Sequence, residues 1–197
     1  IAEVMSHPAK SLFLCRPRKS GKSLLLSMLR YFLDGVEPAA ESLFMDLSVW
    51  NDQGASKHFR RYPVFFLSFK DIRPLLARQT TNLLRKVVRD ELLRHRYLLD
   101  SSYINPEDRT ILASVLAGIA PEEDWEEVLR TITRCLATHW GRSAVLLVDA
   151  ADSPFQNAWL KGFGCTEVDT LLLPALQQNP WLEKAVLAGV WPVLESV

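Results

Sequence analysis

Long apolar runs are missing from this chain. No stretch reaches the about 18 residues that a membrane-spanning helix needs, which excludes helical insertion into a bilayer. Cysteine is scarce. Cys15, Cys135 and Cys165 are odd in number, widely spaced and without a C-x-x-C pair, which excludes a disulfide framework and a cysteine zinc site. That usage fits a reducing, intracellular compartment, cytoplasmic or nuclear. His7, His58, His95 and His139 are scattered and read as structural or surface residues, not metal ligands. Net charge is zero, 23 Lys and Arg against 23 Asp and Glu, so the chain has no global nucleic-acid footprint. It has no internal repeat and no low-complexity linker. Ile1-Ala2-Glu3-Val4 carries neither an initiator Met nor a basic-then-apolar signal pattern. That start and the abrupt Glu195-Ser196-Val197 read as a piece of a longer protein, with 1–197 forming a single domain.

What is present is an ordinary globular balance, 48% apolar and 23% charged residues, sufficient to bury a core. Four short apolar runs read as buried strands: Ser11–Cys15, Val64–Phe69, Ala144–Val148 and Lys184–Val190. Continuous rather than alternating apolar runs suit a mainly parallel sheet covered on both faces. Helical patterns lie between them. Lys22–Leu33 is apolar nearly all round, which predicts a helix packed into the core. Leu75–Tyr97 carries a stripe through Leu76, Leu83, Leu84, Val87, Val88 and Leu92. Asn105-Pro106-Glu107-Asp108 is a helix start. Trp125, Val128, Leu129, Ile132 and Leu136 form a further stripe. Thr166–Asp169 predicts a capping box before a helix over Leu171–Gln178, strained by Pro174. Segment 34–63 is punctuated by Gly35, Pro38, Asn51-Asp52 and Gly54, and its Leu43, Phe44, Val49 and Trp50 are expected to cover an edge of the core. Strands alternating with helices predict an α/β layered domain with right-handed crossovers.

Charge is unevenly spread. Residues 57–96 hold eleven Lys and Arg against Asp71, Asp90 and Glu91, whereas 97–129 hold eight acids against Arg109. Two solvated faces that complement each other account for this. A basic surface for nucleic acid is the sharper alternative.

The chemistry concentrates at Arg16-Pro17-Arg18-Lys19-Ser20-Gly21-Lys22-Ser23, between the first strand and the first long helix. Gly21-Lys22-Ser23 is the second half of a phosphate loop, G-x-x-x-x-G-K-[ST], with Arg16 where the first Gly would stand. Gly21 lets backbone approach phosphate, and the helix start offers N–H groups and a positive dipole end. Lys22 would neutralise β- and γ-phosphate, and the Ser23 hydroxyl would ligate Mg²⁺. An ordinary basic strand-to-helix turn is the plain alternative. The run Ala144–Val148 ends in Asp149, a Walker-B arrangement whose carboxylate would hold Mg²⁺. Ala150 follows, where strand-inserted NTPases usually place a water-activating Glu. Asp152, three residues beyond Asp149, is the remaining candidate for that catalytic role.

The stretch RPRKSGKSLLLSMLRYFLDG (Arg16–Gly35) resembles the AAA-ATPase-like family, whose loop reads RPRRFGKS without the first Gly. ESLFMDL, RRYPVFFLSF, LLVDAADSP and NPWLEKAVLAGV follow in the family's order, so the resemblance covers most of the chain. It implies a three-layer, strand-inserted P-loop NTPase fold, with strand 11–15 beside 184–190, then 144–148, then 64–69 at the edge. A fifth strand and a helical lid would come after Val197, and a nuclease-like domain often follows in the family. It implies ATP and Mg²⁺ as ligands, with Gly21, Lys22 and Ser23 on phosphate and metal, Asp149 on the metal, and Asp152 at the second family Asp. Ala150 replaces the family's catalytic Glu, and Ala188 replaces a Thr at a sensor-like position. Two origins fit these changes: loss of hydrolysis in the natural protein, or an introduced inactivating change.

The functions open at this point are an ATP- and Mg²⁺-binding switch or assembly module, an active ATPase using Asp152 or a residue of a neighbouring subunit, and an interaction domain that kept the fold without its ligand. Self-association or a partner protein fits the first and third. Nucleic-acid binding through 57–96 is the fourth.

Overall fold

The computed structural model describes residues 1–36, 41–74 and 76–191. Pro38, Leu75 and Glu195–Val197 lie outside the described residues. In chain order the elements are α1 (Ala2–Ser6), β1 (Ser11–Cys15), α2 (Lys22–Leu33), α3 (Ser48–Asn51), α4 (Gln53–Ser56), β2 (Val64–Ser68), α5 (Ala77–Arg94), α6 (Pro106–Ala117), α7 (Glu122–Glu126), α8 (Val128–Trp140), β3 (Ala144–Asp149), α9 (Ser153–Leu160), α10 (Glu167–Leu176) and β4 (Leu182–Gly189). Short 3-10 turns cover Glu41–Leu43 and Arg96–Asp100.

The four strands form one all-parallel sheet in the order β1-β4-β3-β2, as the resemblance implied. Register brings the carboxyl ends together: Cys15 pairs with Gly189, and Ser68 with Asp149. In open α/β sheets that carboxyl edge is where ligands bind. The apolar strands are explained by burial on both faces. Phe65, Leu67, Leu146, Val148, Ala185 and Leu187 pack against α5, α6, α8 and α10. Val64, Val145, Leu147, Val186 and Ala188 pack against α2, Met5, Phe44 and Tyr62.

Local signals explain both ends of α6. Asn105 Oδ1 accepts the Asp108 N–H at 2.7 Å, Pro106 begins α6, and Gly118 at φ 75° ends it. Leu84, Val88 and Leu92 of α5 are buried, whereas Leu76 stands exposed at the helix start, its N–H donating to Gln79 Oε1. Three expectations need correction. Helix α2 is not surrounded by core: Leu26, Leu29, Phe32 and Leu33 are buried, but Leu24 is 67% exposed, so the helix buries one face and leaves its first turn partly in solvent. Helix α10 starts at Glu167 without a Thr166 side-chain cap and contains Pro174, which falls in the last turn and forgoes a single amide bond before the helix stops. Leu43 is exposed, and Phe44 alone of the pair enters the core, edge-on to Phe32.

The basic and acidic stretches do meet: Arg85 of α5 pairs with Glu122 of α7 and stacks over Trp125. The open edge of β2 is also covered. Glu91 Oε1 accepts the Phe66 N–H, and Arg94 and His95 donate to the Val64 carbonyl, so side chains of α5 and of the residue after it take the place of a fifth strand on that side. Among the described residues, no helix is long and apolar enough to cross a membrane.

Candidate functional site: a loop at the carboxyl edge of the sheet

β1 ends at Cys15 and the chain turns through Arg16–Ser20 into α2. Two left-handed residues shape the turn, Lys19 at φ 63° and Gly21 at φ 82°. Glycine is demanded at 21 by that dihedral, and open space surrounds it: a Cβ there would meet nothing within 4 Å. Gly21 has no side chain to cap α2, so the first-turn N–H groups are left for an anion.

The loop residues divide into two groups. Lys22 Nζ turns back to the carbonyls of Arg16 and Pro17, each at 2.7 Å, and so braces the loop from inside. The Arg16 N–H donates to Gly189 O at 3.2 Å, tying the loop to the end of β4. Arg18 points elsewhere, donating to Gln156 Oε1 of α9 at 2.8 Å. Ser20 is exposed.

Ser23 and Asp149 meet. The Ser23 hydroxyl donates to Asp149 Oδ1 at 3.0 Å, from the start of α2 to the end of β3. The strand period explains why: Val145 and Leu147 face α2, so Asp149, two residues on, does too. Ala188 of β4 belongs to the same face. Ala150 takes φ 54° in the turn that follows, and the Ala151 N–H continues the sheet by donating to Ala188 O at 2.9 Å.

Asp152 is near the loop but aimed across it. Its buried Oδ2 accepts the N–H groups of Val190 at 2.7 Å and Trp191 at 3.0 Å, and a third donor from Gln156. A chain of side chains therefore runs from Arg18 through Gln156 and Asp152 to the exit of β4. Gly189 makes room for it, because a Cβ there would stand 2.9 Å from the Asp152 carboxyl carbon.

Three residues of the site were not singled out by motif. Lys70 Nζ lies 3.2 Å from Asp149 Oδ2. It follows β2 by two residues, and strand order combined with register was the signal that would have found it. Gln156 and Gly189 were missed for the same reason, since their roles depend on Asp152.

The donor set suits magnesium and phosphate. Ser23 and Asp149 supply hard oxygens, the ligands Mg²⁺ prefers. Among the described residues no group of three His, Cys, Asp or Glu side chains could hold a metal alone. A cation at Ser23 and Asp149 would therefore complete its shell with phosphate and water, the usual arrangement for Mg²⁺ in nucleotide sites.

No curated protein and no solved structure matches the chain. A family model described as a predicted AAA-ATPase, AAA-ATPase-like, matches residues 1–196. With its parallel sheet, its loop and its family match all agreeing, the chain belongs to the AAA-ATPase-like family.

Proposed function

We propose that this domain binds ATP with Mg²⁺ and acts as a nucleotide-gated switch or assembly module in which hydrolysis is slow or absent. The observation that carries the binding half is the Ser23–Asp149 hydrogen bond at 3.0 Å beneath an open, uncapped helix start. Gly21 and the first-turn amides of α2 would hold the β-phosphate, and Lys22 would leave the Arg16 and Pro17 carbonyls for the phosphate oxygens. Ser23 and Asp149 would hold Mg²⁺, which when bound neutralises charge between the β- and γ-phosphates.

Ala150 and the engaged Asp152 support the second half. Alanine has no proton acceptor. The Asp152 oxygen nearest the loop's side-chain relay already receives three donors, so it serves the β4 exit in preference to a water. Ala188 offers no hydroxyl on the Asp149 face.

Calorimetry with Mg-ATP tests the proposal. Measurable binding is expected, and Lys22→Ala should remove it. Phosphate release should stay near background. An intact protein that fails to bind nucleotide sinks the binding half, and release that Asp149→Asn abolishes sinks the second.

A further inference from the structure

Lys70 is the cation that neither the loop motif nor its family resemblance assigns. The backbone of Lys70 is placed by register. Ser68 pairs with Asp149, and the Phe69 N–H donates to the Asp149 carbonyl at 2.9 Å, so the next residue is delivered beside the Asp149 side chain. The two carboxylate oxygens are then divided, Oδ1 to Ser23 and Oδ2 to Lys70. Asp149 is buried and its charge needs a partner, whereas the Lys70 side chain is 52% exposed on a flexible stem and can swing.

We propose that Lys70 is a cation built into this site: its ammonium takes the Asp149 oxygen left over from Ser23, so the site accepts a nucleoside polyphosphate without divalent metal, and a metal must displace it. The inference rests on the phosphate-binding reading above. The compact ammonium supplies positive charge where a metal would otherwise supply it. A metal approaching Asp149 meets a like charge already in contact with its ligand.

The experiment compares wild type with Lys70→Met and Lys70→Arg in the intact protein. ADP binding is measured by calorimetry in excess EDTA and in Mg²⁺, and Mn²⁺ binding by electron paramagnetic resonance in the presence of ADP. Wild type should bind ADP in EDTA within about tenfold of its affinity in Mg²⁺. Lys70→Met should lose up to about fivefold in EDTA, the range of a partly exposed ion pair, and less than about twofold in Mg²⁺. Its Mn²⁺ affinity should rise by a similar factor, and Lys70→Arg should restore both. Equal losses in EDTA and Mg²⁺, or an unchanged or undetectable Mn²⁺ site, overturn the proposal. A wild type that binds ADP in neither condition sinks the phosphate-binding reading and this inference with it, whereas ADP binding that responds equally to Lys70→Met in both conditions sinks this inference alone.

Discussion

Two regions of this molecule are rich in charge, and they are built on opposite plans. At the open edge of β2, Asp34, Glu91, Arg94 and His95 answer one another. Arg94 Nη1 donates to buried Asp34 at 2.6 Å, its Nη2 reaches Glu91 and the Val64 carbonyl, and Glu91 accepts the Phe66 N–H. At the loop the cations are exposed or half-buried and their partners exchangeable: Lys22 rests on two carbonyls, Lys70 on one carboxylate oxygen, Arg18 on a glutamine. The first cluster closes a fold. The second leaves Lys22 and Arg18 on neutral partners, which an anion can displace. Charge density alone does not mark a ligand site; the difference lies in whether the groups are already spent on each other.

Two substitutions set the regions against each other most sharply. Arg94→Leu leaves Asp34 buried without its cation and exposes the β2 edge, which should cost about 3 kcal/mol in denaturant unfolding. Lys22→Ala should cost only about 1 kcal/mol, as for a half-buried side chain that bonds two loop carbonyls, while nucleotide binding is lost. Similar stability losses for the two variants would erase the distinction.

That distinction also explains what could be read from the residues in order. Strands β2 to β4 were legible because burial on both faces writes continuous apolar runs, and β1, half-buried at the sheet edge, carries a run of the same kind. β4 nonetheless starts at Leu182, two residues before the run read as Lys184–Val190, and the buried Lys184 within it keeps its ammonium on the His7 and Ala9 carbonyls. Gly21, Lys22, Ser23 and Asp149 were legible because each sits in a local pattern on the expected element. Lys70 was not, because its place beside Asp149 exists only once β2 pairs with β3. Asp152 was visible as a carboxylate, but its partners are backbone N–H groups of Val190 and Trp191, which no pattern of residue types reveals. The edge network was invisible altogether: Asp34 and Arg94 lie sixty residues apart, and a helix stripe records only the apolar face of α5.

The edge cluster should also announce itself in acid, and the two carboxylates pull in opposite directions. Burial pushes Glu91 up, but hydrogen bonds from His95 and Arg94 outweigh it and hold its carboxyl below the ordinary 4.5. Its contribution is present above about pH 4.5 and is lost as pH falls through the lowered value. For Asp34 burial outweighs Arg94, and its carboxyl is held above the ordinary 3.8. Its contribution is full below pH 3.8 and is lost as pH rises through the raised value, so it partly offsets Glu91. Glu91→Gln keeps an acceptor for Phe66 and removes only the first effect. Urea midpoints measured from pH 6 to pH 3.5 should fall less steeply for Glu91→Gln than for wild type. Parallel curves would show that the cluster does not govern acid stability.

The smallest effect uses the cysteines as reporters of the same contrast. Burial pushes the Cys135 and Cys165 thiols up to about 12, so neither supplies much thiolate at neutral pH. Cys15 is exposed at the last residue of β1, directly before Arg16. Native protein should therefore show one fast thiol towards a thiol-specific reagent and two slow ones. Because Cys15 adjoins the loop, with its Sγ on the Val190 carbonyl at 2.8 Å, bound ADP should slow its modification a few-fold while the other two rates stay fixed. Protection confined to Cys15 would tie ligand binding to the loop edge of the sheet. Equal slowing of all three would instead report a global tightening of the fold, and the loop would lose its standing as a separate, ligand-facing region.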